Sequence, residues 1–176
     1  RVSGIKFDYA LFTNLSQDHL DFHSNMEDYF CAKSMLFDSS ISKTGIVCID
    51  DKWGQRLVSE SRIPVLTVGK SDADFTYSLS NGIFELIWKE GTVSLVSPLS
   101  GDFNATNTAM AMAAMLLQGF DSDQIAAALA NFPGVPGRME KVSKSGQPLV
   151  LVDYAHTPDA VERILMTGKT LGKKVI

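Results

Sequence analysis

The sequence has few cysteines, no long apolar run and little net charge, and each shortage argues against a class of protein. Only two of its 176 residues are cysteines, Cys31 and Cys48, too few for a disulfide framework or a zinc knuckle. We expect both to be buried thiols. No apolar run approaches the roughly 20 residues that span a bilayer, and a net charge of −4 gives no basic face for nucleic acid.

Known phosphate-binding signatures are also missing, since neither GxxxxGK[ST] nor GxGxxG occurs. If the protein handles a nucleotide, its phosphate loop therefore lies outside these residues. The first ten residues have neither an initiator Met nor the apolar core and cleavage site of a signal peptide, so we expect a piece cut from a longer chain. An apolar content of 45% and a charged content of 20% are typical of a soluble globular protein.

The order of predicted elements indicates an α/β fold with a mixed sheet. Strands and helices alternate over residues 7–68, which predicts a parallel sheet with crossover helices. Residues 74–96 instead alternate with period two around Asn81-Gly82, a strong hairpin signal that predicts an antiparallel meander. The predicted strands are 7–15, 45–50, 63–68, 139–142, 149–153 and one that begins at 173. One predicted helix begins near residue 25, and four others span 51–61, 104–118, 123–130 and 158–167.

A rigid connector divides the predicted elements into two groups. The residues FPGVPG at 132–137 cannot continue a helix. We therefore expect two domains, neither of them complete: residues 1–136 belong to one, and residues 137–176 are the beginning of a second.

The main chemical clue is the position of Lys33. In the helix that follows the loop with Asp18, His19, Asp21 and His23, Lys33 falls in the middle of an apolar stripe. The stripe consists of Met26, Tyr29, Phe30, Leu36 and Phe37. Lys33 either extends along the stripe to water, or is a partly buried amine able to take up CO2 as a carbamate, an anion that can face a metal. His19 and His23 are metal ligands or structural residues; their spacing leaves both open.

Three further positions have a structural and a functional interpretation. Asn104 and Asn107, one helical turn apart, are either a helix cap with a surface residue or two amides that contact a nucleobase. Asp153 ends the strand of LVLVDYAHTP, and ligands bind at the carboxyl ends of strands in α/β sheets. Arg138 is an ordinary surface arginine unless other residues place it in a site.

Four segments, in this order, resemble the Mur ligase family: FTNLSQDHLDFHSNMEDYFCAKSMLF, GDFNATNTAMAMAAMLLQGF, FPGVPGRMEKV and VLVDYAHTPDAVERIL. The resemblance implies the latter part of a central ATP-binding domain and the opening of a C-terminal Rossmann-like domain. It also implies an ATP-dependent ligase of peptidoglycan synthesis that adds a diamino acid to a UDP-N-acetylmuramoyl-dipeptide through an acyl phosphate. The implied protein is cytoplasmic and monomeric, uses ATP and Mg²⁺, and binds neither nucleic acid nor membrane.

The resemblance also assigns roles to residues. It implies that Lys33 is catalytic and, as a carbamate, faces a magnesium ion that His19 also binds. The implied substrate contact is Arg1, which would touch the UDP-muramoyl-dipeptide. The implied ATP-binding residues are Asn104 and Asn107 at adenine, Arg138 near the γ-phosphate, Asp153 at the ribose, and His156.

Three alternatives remain at this point. One is a ligase similar to folylpolyglutamate synthase, which shares the lysine and the phosphate loop. Another is a two-histidine metal hydrolase built on the loop at residues 18–23, and the third is a binding module without catalysis. We expect the 176 residues alone to be inactive, and they do not reveal whether the added residue is meso-diaminopimelate or L-lysine.

Overall fold

The structure, a computed structural model, describes residues 4–16, 23–144, 146–172 and 174–176. Six strands form one sheet in the order in which they occur along the chain. They are β1 (Phe7–Phe12), β2 (Ser42–Cys48), β3 (Val65–Gly69), β4 (Phe75–Ser80), β5 (Ile83–Trp88) and β6 (Gly91–Val96). β1 to β4 pair in parallel, and β4 to β6 pair antiparallel, with β4 common to both groups. This confirms the predicted α/β fold with its meander.

Four helices cover this sheet, and side-chain caps begin three of them. They are α1 (Met26–Ser34, extended by a 3-10 turn at Met35–Phe37), α2 (Lys52–Glu60), α3 (Asp102–Leu117) and α4 (Ser122–Ala130). The side chains of Asn25, Asp51 and Asp121 accept hydrogen bonds from the first backbone N–H groups of α1, α2 and α4. Such caps satisfy donors that have no partner inside the helix.

The residues that follow α4 form two short strands and one helix. A two-stranded sheet pairs β7 (Glu140–Lys141) with β8 (Leu151–Val152), and α5 (Pro158–Leu171) follows. Both strands are shorter than predicted, and residues 174–176 are not a strand. A strand needs a hydrogen-bonded neighbour. β7 and β8 pair with each other over only two residue pairs, and residues 174–176 pair with none of the described strands.

The sheet is buried on both faces at β2, because alternate residues of this strand pack against different helices. Ile46 and Cys48 lie in the core shared with α3 and α4, whereas Val47 lies in the core shared with α1 and α2. All three are almost inaccessible to water, as a continuous apolar run predicts for a strand covered on both sides. At Gly54 the helix α2 lies so close to β2 that any Cβ would collide with the Cys48 carbonyl.

The predicted apolar stripe of α1 is present, but one prediction on this helix is wrong. Phe30 and Phe37 are buried and Tyr29 packs against the same core. Cys31, which we predicted to be buried, is exposed, whereas Cys48 is buried as predicted. Successive helical residues differ by about 100° in direction, so Cys31 faces away from the core into which Phe30 points.

Among the helices of the described residues, none is long and apolar enough to cross a membrane.

Candidate functional site

A cavity of about 840 Å³ lies between the helices α3 and α4 on one side and the segment 135–164 on the other. Its volume is within the usual range for small-molecule sites. Met112, Met115 and Leu129 contribute to an apolar wall. The polar lining residues come from well-separated parts of the chain: Asn14, Ser16, Asn104, Asn107, Thr108, Arg138, Asp153 and Arg163.

The first turns of α3 bring the two predicted asparagines to this cavity. Gly101, with φ of +97°, caps the helix, so the interpretation of Asn104 as the cap is wrong. Asn104 lies one turn inside, is only 7% exposed, and its Nδ2 donates to the Ser100 carbonyl at 2.8 Å. Asn107 is exposed one turn further on and also lines the cavity.

A ring of hydrogen bonds ties the start of α3 to the ends of the neighbouring strands. The Tyr77 hydroxyl donates to Asp50 Oδ2 at 2.5 Å and shares a 2.6 Å hydrogen bond with Thr106 Oγ1. Asp50 Oδ1 accepts from the Lys70 backbone N–H at 2.8 Å, and Lys70 Nζ lies 2.9 Å from Asp102 Oδ2. Burial and the hydrogen bond to Asp50 raise the pKa of the Tyr77 phenol above its ordinary value of 10.0, so Tyr77 stays protonated as a donor.

Asp153 is fixed by backbone donors on both sides of its carboxylate. Oδ2 accepts from the Met139 N–H and Oδ1 from the Ala155 N–H, each at 2.8 Å. A third bond, from the Tyr154 N–H to the Gly137 carbonyl at 2.9 Å, holds the same two segments together. Because each carboxylate oxygen has two acceptor positions, Asp153 can still accept from a ligand hydroxyl in the cavity that it lines.

Arg138 and His156 differ in their relation to the cavity. Arg138 is exposed and lines it, with its Cζ 5.9 Å from the centre of the Tyr154 ring. His156 is not among the lining residues; its Nδ1 lies 3.0 Å from the Tyr154 carbonyl oxygen. The structure thus brings four of the predicted ATP-binding residues to one cavity and leaves the fifth beside it.

Lys33 lies outside this cavity, on α1. It is half-buried, with its Nζ 5.0 Å from the centre of the Tyr29 ring. The Tyr29 ring in turn stacks on His23, with ring centres 4.8 Å apart. A cation over an aromatic face is attracted to it, so the stem and head of Lys33 follow the apolar stripe. Two other predicted residues, Arg1 and His19, lie outside the described residues, as does the rest of the loop at 17–22.

Ion pairs at the surface, beside the buried Phe30 ring, connect α1, the helix that carries Lys33, to α2. The Arg56 guanidinium makes two hydrogen bonds of 2.6 Å to Glu27 and one of 2.6 Å to Glu60. Its Cζ also lies 4.4 Å from the centre of the Phe30 ring. The hydrogen bonds from Arg56 hold the pKa of the Glu27 carboxyl below its ordinary value of 4.5.

The described residues do not by themselves supply a metal centre. No group of three or more His, Cys, Asp or Glu side chains within them could hold a metal ion, and Mg²⁺ is usually held by several oxygen ligands. The donors present around Lys33 therefore do not fit the implied magnesium ion without the residues at 17–22.

Sequence reasoning missed several residues of the cavity and of the hydrogen bonds beside it. Asn14 and Ser16 follow β1, and Asp50 follows β2, so their places after buried strands were a usable signal. Tyr77 and Arg163 had no such signal, because a tyrosine in an alternating strand and an arginine on a helix are ordinary surface residues by pattern.

Comparison with known proteins now identifies the family. A family model described as the Mur ligase middle domain matches residues 1–115. The chain belongs to the Mur ligase family. This agrees with the resemblance of its four segments and with the mixed sheet.

Relatives in the Mur ligase family are much longer than this chain. A UDP-N-acetylmuramoyl-L-alanyl-D-glutamate–2,6-diaminopimelate ligase of Streptomyces avermitilis is 46% identical over 175 residues, which cover 94% of this chain and 34% of that protein. A UDP-N-acetylmuramyl-tripeptide synthetase of Leifsonia xyli is 44% identical over 178 residues, covering 94% of this chain and 35% of that protein. The chain thus spans about a third of the length of these relatives.

Solved structures share the fold of this chain. A UDP-N-acetylmuramoyl-L-alanyl-D-glutamate–2,6-diaminopimelate ligase matches with a TM-score of 0.74 and 32% identity, over 92% of this chain and 35% of that one. A structure of E. coli FolC in complex with DHPP and ADP matches with a TM-score of 0.75 and 26% identity, over 96% of this chain and 39% of that one.

Proposed function

We propose that the whole protein is an ATP-dependent amide-bond ligase of peptidoglycan precursor synthesis. In this proposal it adds a diamino acid to UDP-N-acetylmuramoyl-L-alanyl-D-glutamate, and the curated relatives named as 2,6-diaminopimelate ligases, at 38–46% identity, support 2,6-diaminopimelate as that amino acid. The substrate carboxylate takes the γ-phosphoryl group of ATP to form an acyl phosphate, releasing ADP. The incoming amine then attacks the acyl carbon and forms the amide, releasing inorganic phosphate. Such reactions depend mainly on positioning and on neutralising phosphate charge.

One observation carries the nucleotide part of the proposal. Asn104, Asn107, Arg138 and Asp153 come from segments up to 49 residues apart, yet all four line one cavity. Their chemistry suits the parts of a nucleotide: amides pair with a nucleobase edge, a carboxylate accepts from ribose hydroxyls, and a guanidinium binds phosphate oxygens. The apolar wall suits the faces of a base.

The proposal also gives roles to the remaining predicted residues. Lys33, as a carbamate, and His19 hold Mg²⁺, His156 belongs to the ATP site, and Arg1 contacts the UDP-muramoyl substrate. Residues 1–136 are part of the ATP-binding domain and residues 137–176 the beginning of the next. A cytoplasmic location and a monomeric state remain predictions.

The test is the binding of adenosine to the 176-residue chain, measured by NMR titration. Adenosine carries the base and ribose but needs neither a phosphate loop nor a metal. We expect Asn107→Ala to weaken adenosine binding about tenfold, since each neutral hydrogen bond contributes about 0.5–1.5 kcal/mol and an amide can make two.

The matched control is Asn131→Ala. Asn131 is also an exposed asparagine, but it ends α4 outside the cavity, where its Nδ2 donates to the Ala127 carbonyl at 2.8 Å. This variant should bind adenosine as the unmodified chain does. Equal losses in both variants, or no adenosine binding by the folded chain, would contradict the nucleotide site. Phosphate release by the 176 residues alone, given ATP and the UDP-muramoyl-dipeptide, would contradict the expectation that they are inactive.

A further inference from the structure

We propose that Tyr77 is a positioning residue for nucleobase selection, because it fixes the turn of α3 that carries Asn104 and Asn107. This inference rests on the proposed function, in which those two amides contact the base. Tyr77 itself does not line the cavity and would act only through α3.

The Tyr77 hydroxyl is placed to control this turn. Tyr77 is only 2% exposed, and its ring stacks on Phe84 with centres 6.5 Å apart, so the sheet holds the ring. The hydroxyl reaches Thr106 Oγ1 at 2.6 Å. Thr106 lies in sequence between Asn104 and Asn107, so this hydrogen bond joins α3 to the sheet within one helical turn of both amides.

Asp50 supports the same turn by two routes. It accepts the Tyr77 O–H at 2.5 Å, which leaves the phenol oxygen to accept from Thr106 Oγ1. It also accepts the Lys70 backbone N–H at 2.8 Å, and Lys70 forms an ion pair of 2.9 Å with Asp102 in the first turn of α3. That ion pair is exposed and such pairs contribute little, so the partly buried bond between Tyr77 and Thr106 is the stronger connection.

Base selection is the property most sensitive to the position of these amides. Adenine and hypoxanthine have nearly the same shape but differ at positions 1 and 6. Adenine has an acceptor at N1 and an amino donor at position 6, whereas hypoxanthine has an N1–H donor and a carbonyl acceptor. An amide offers both a donor and an acceptor, so it discriminates only if its orientation and distance are held. Hydrogen bonds lose most of their strength as the distance grows beyond about 3.2 Å or the angle falls, and sites of this kind discriminate because a mismatched base leaves polar groups unpaired.

The experiment compares adenosine with inosine in NMR titrations of the 176-residue chain. Tyr77→Phe removes the hydroxyl that the sheet contributes to this bond, and Thr106→Val removes the hydroxyl that α3 contributes. We expect each variant to reduce the preference for adenosine over inosine by between about twofold and tenfold, the effect of weakening one neutral hydrogen bond. Both variants remove the bond between Tyr77 and Thr106, and Thr106→Val leaves the bond from Tyr77 to Asp50 in place. The inference therefore remains testable if one of them fails to fold.

The chain offers a matched control in Tyr9→Phe. The Tyr9 hydroxyl donates to the Leu117 carbonyl at 2.9 Å, at the opposite end of the same helix and about 16 Å from Thr106 at 1.5 Å per residue. Loss of this hydroxyl removes a contact at the far end of α3 and not near the asparagines, so the preference for adenosine over inosine should be unchanged.

Each outcome bears on the inference. An unchanged preference in folded Tyr77→Phe, or an equal fall in Tyr9→Phe, overturns the positioning role while the nucleoside site stands. If the unmodified chain binds both nucleosides equally, there is no base selection to support and the positioning role alone is overturned. If it binds neither of them, the proposed nucleoside site is itself wrong and the positioning role falls with it.

Discussion

Replacing Ser42 with alanine should make the protein more stable. Ser42 is the first residue of β2 and is wholly inaccessible to water. Its backbone N–H donates to the Asp38 carbonyl at 2.9 Å, but its hydroxyl has no hydrogen-bond partner within the residues that the structure describes. A buried hydroxyl of this kind has lost its bonds to water and gained none in return.

The expected gain follows from that desolvation. A buried, unsatisfied polar group costs about 1–3 kcal/mol, and alanine keeps the Cβ while removing only the oxygen. Allowing for the small void that the oxygen leaves, we expect the free energy of unfolding to rise by about 1 kcal/mol. For a domain of 150–250 residues this corresponds to an increase in Tm of about 2–4 °C.

Urea unfolding of Ser42→Ala beside the unmodified chain measures this gain, with an unchanged slope against urea showing that the unfolded state is the same. Ser59→Ala is the control, because Ser59 is exposed and its hydroxyl bonds the Arg56 carbonyl within its own helix; its effect should stay within about 0.5 kcal/mol. A clear loss of stability in Ser42→Ala would mean that the hydroxyl does have a partner, and the reasoning would be refuted.

Two further predictions concern groups whose pKa is shifted. Burial raises the pKa of the Cys48 thiol to about 11, so a disulfide reagent at pH 8 should modify exposed Cys31 at once and Cys48 only on unfolding; two equally fast thiols would contradict this. Arg56 holds the folded-state pKa of Glu27 below 4.5, so Glu27 stabilises the fold above pH 4.5 and this contribution is lost as the pH falls through the lower, folded-state value. Unfolding curves between pH 7 and 3 should therefore show a smaller acid loss in Glu27→Gln than in the unmodified chain, and parallel losses would refute the coupling.

Local patterns were enough to predict most of the fold. The continuous apolar run at 45–50 predicted a strand covered on both faces, and β2 is such a strand. Asn81-Gly82 predicted a tight hairpin turn, and both residues adopt the positive φ values, 51° and 78°, that such a turn requires. These features depend on residues close in sequence, so the sequence alone contains the information.

Features that depend on distant residues were less predictable. The hydrogen bond between Asp50 and Tyr77 joins residues 27 apart, and no periodic pattern connects them. The strand predicted at 139–142 is reduced to two residues because its length depends on the partner, β8, and not on its own composition. Cys31 was misplaced because residue type favoured burial, whereas its direction on α1 decided exposure.

Different contacts fix the two walls of the cavity, so we expect the walls to contribute differently to binding. The α3 wall is fixed at one end by Tyr77 and at the other by Tyr9, so it is suited to discriminating between bases. The opposite wall is held by the Asp153 carboxylate and a two-residue strand pair. A ligand whose ribose meets Asp153 would join the two walls. Affinity should therefore depend on how well the ligand bridges the cavity, and selectivity on how firmly α3 is held.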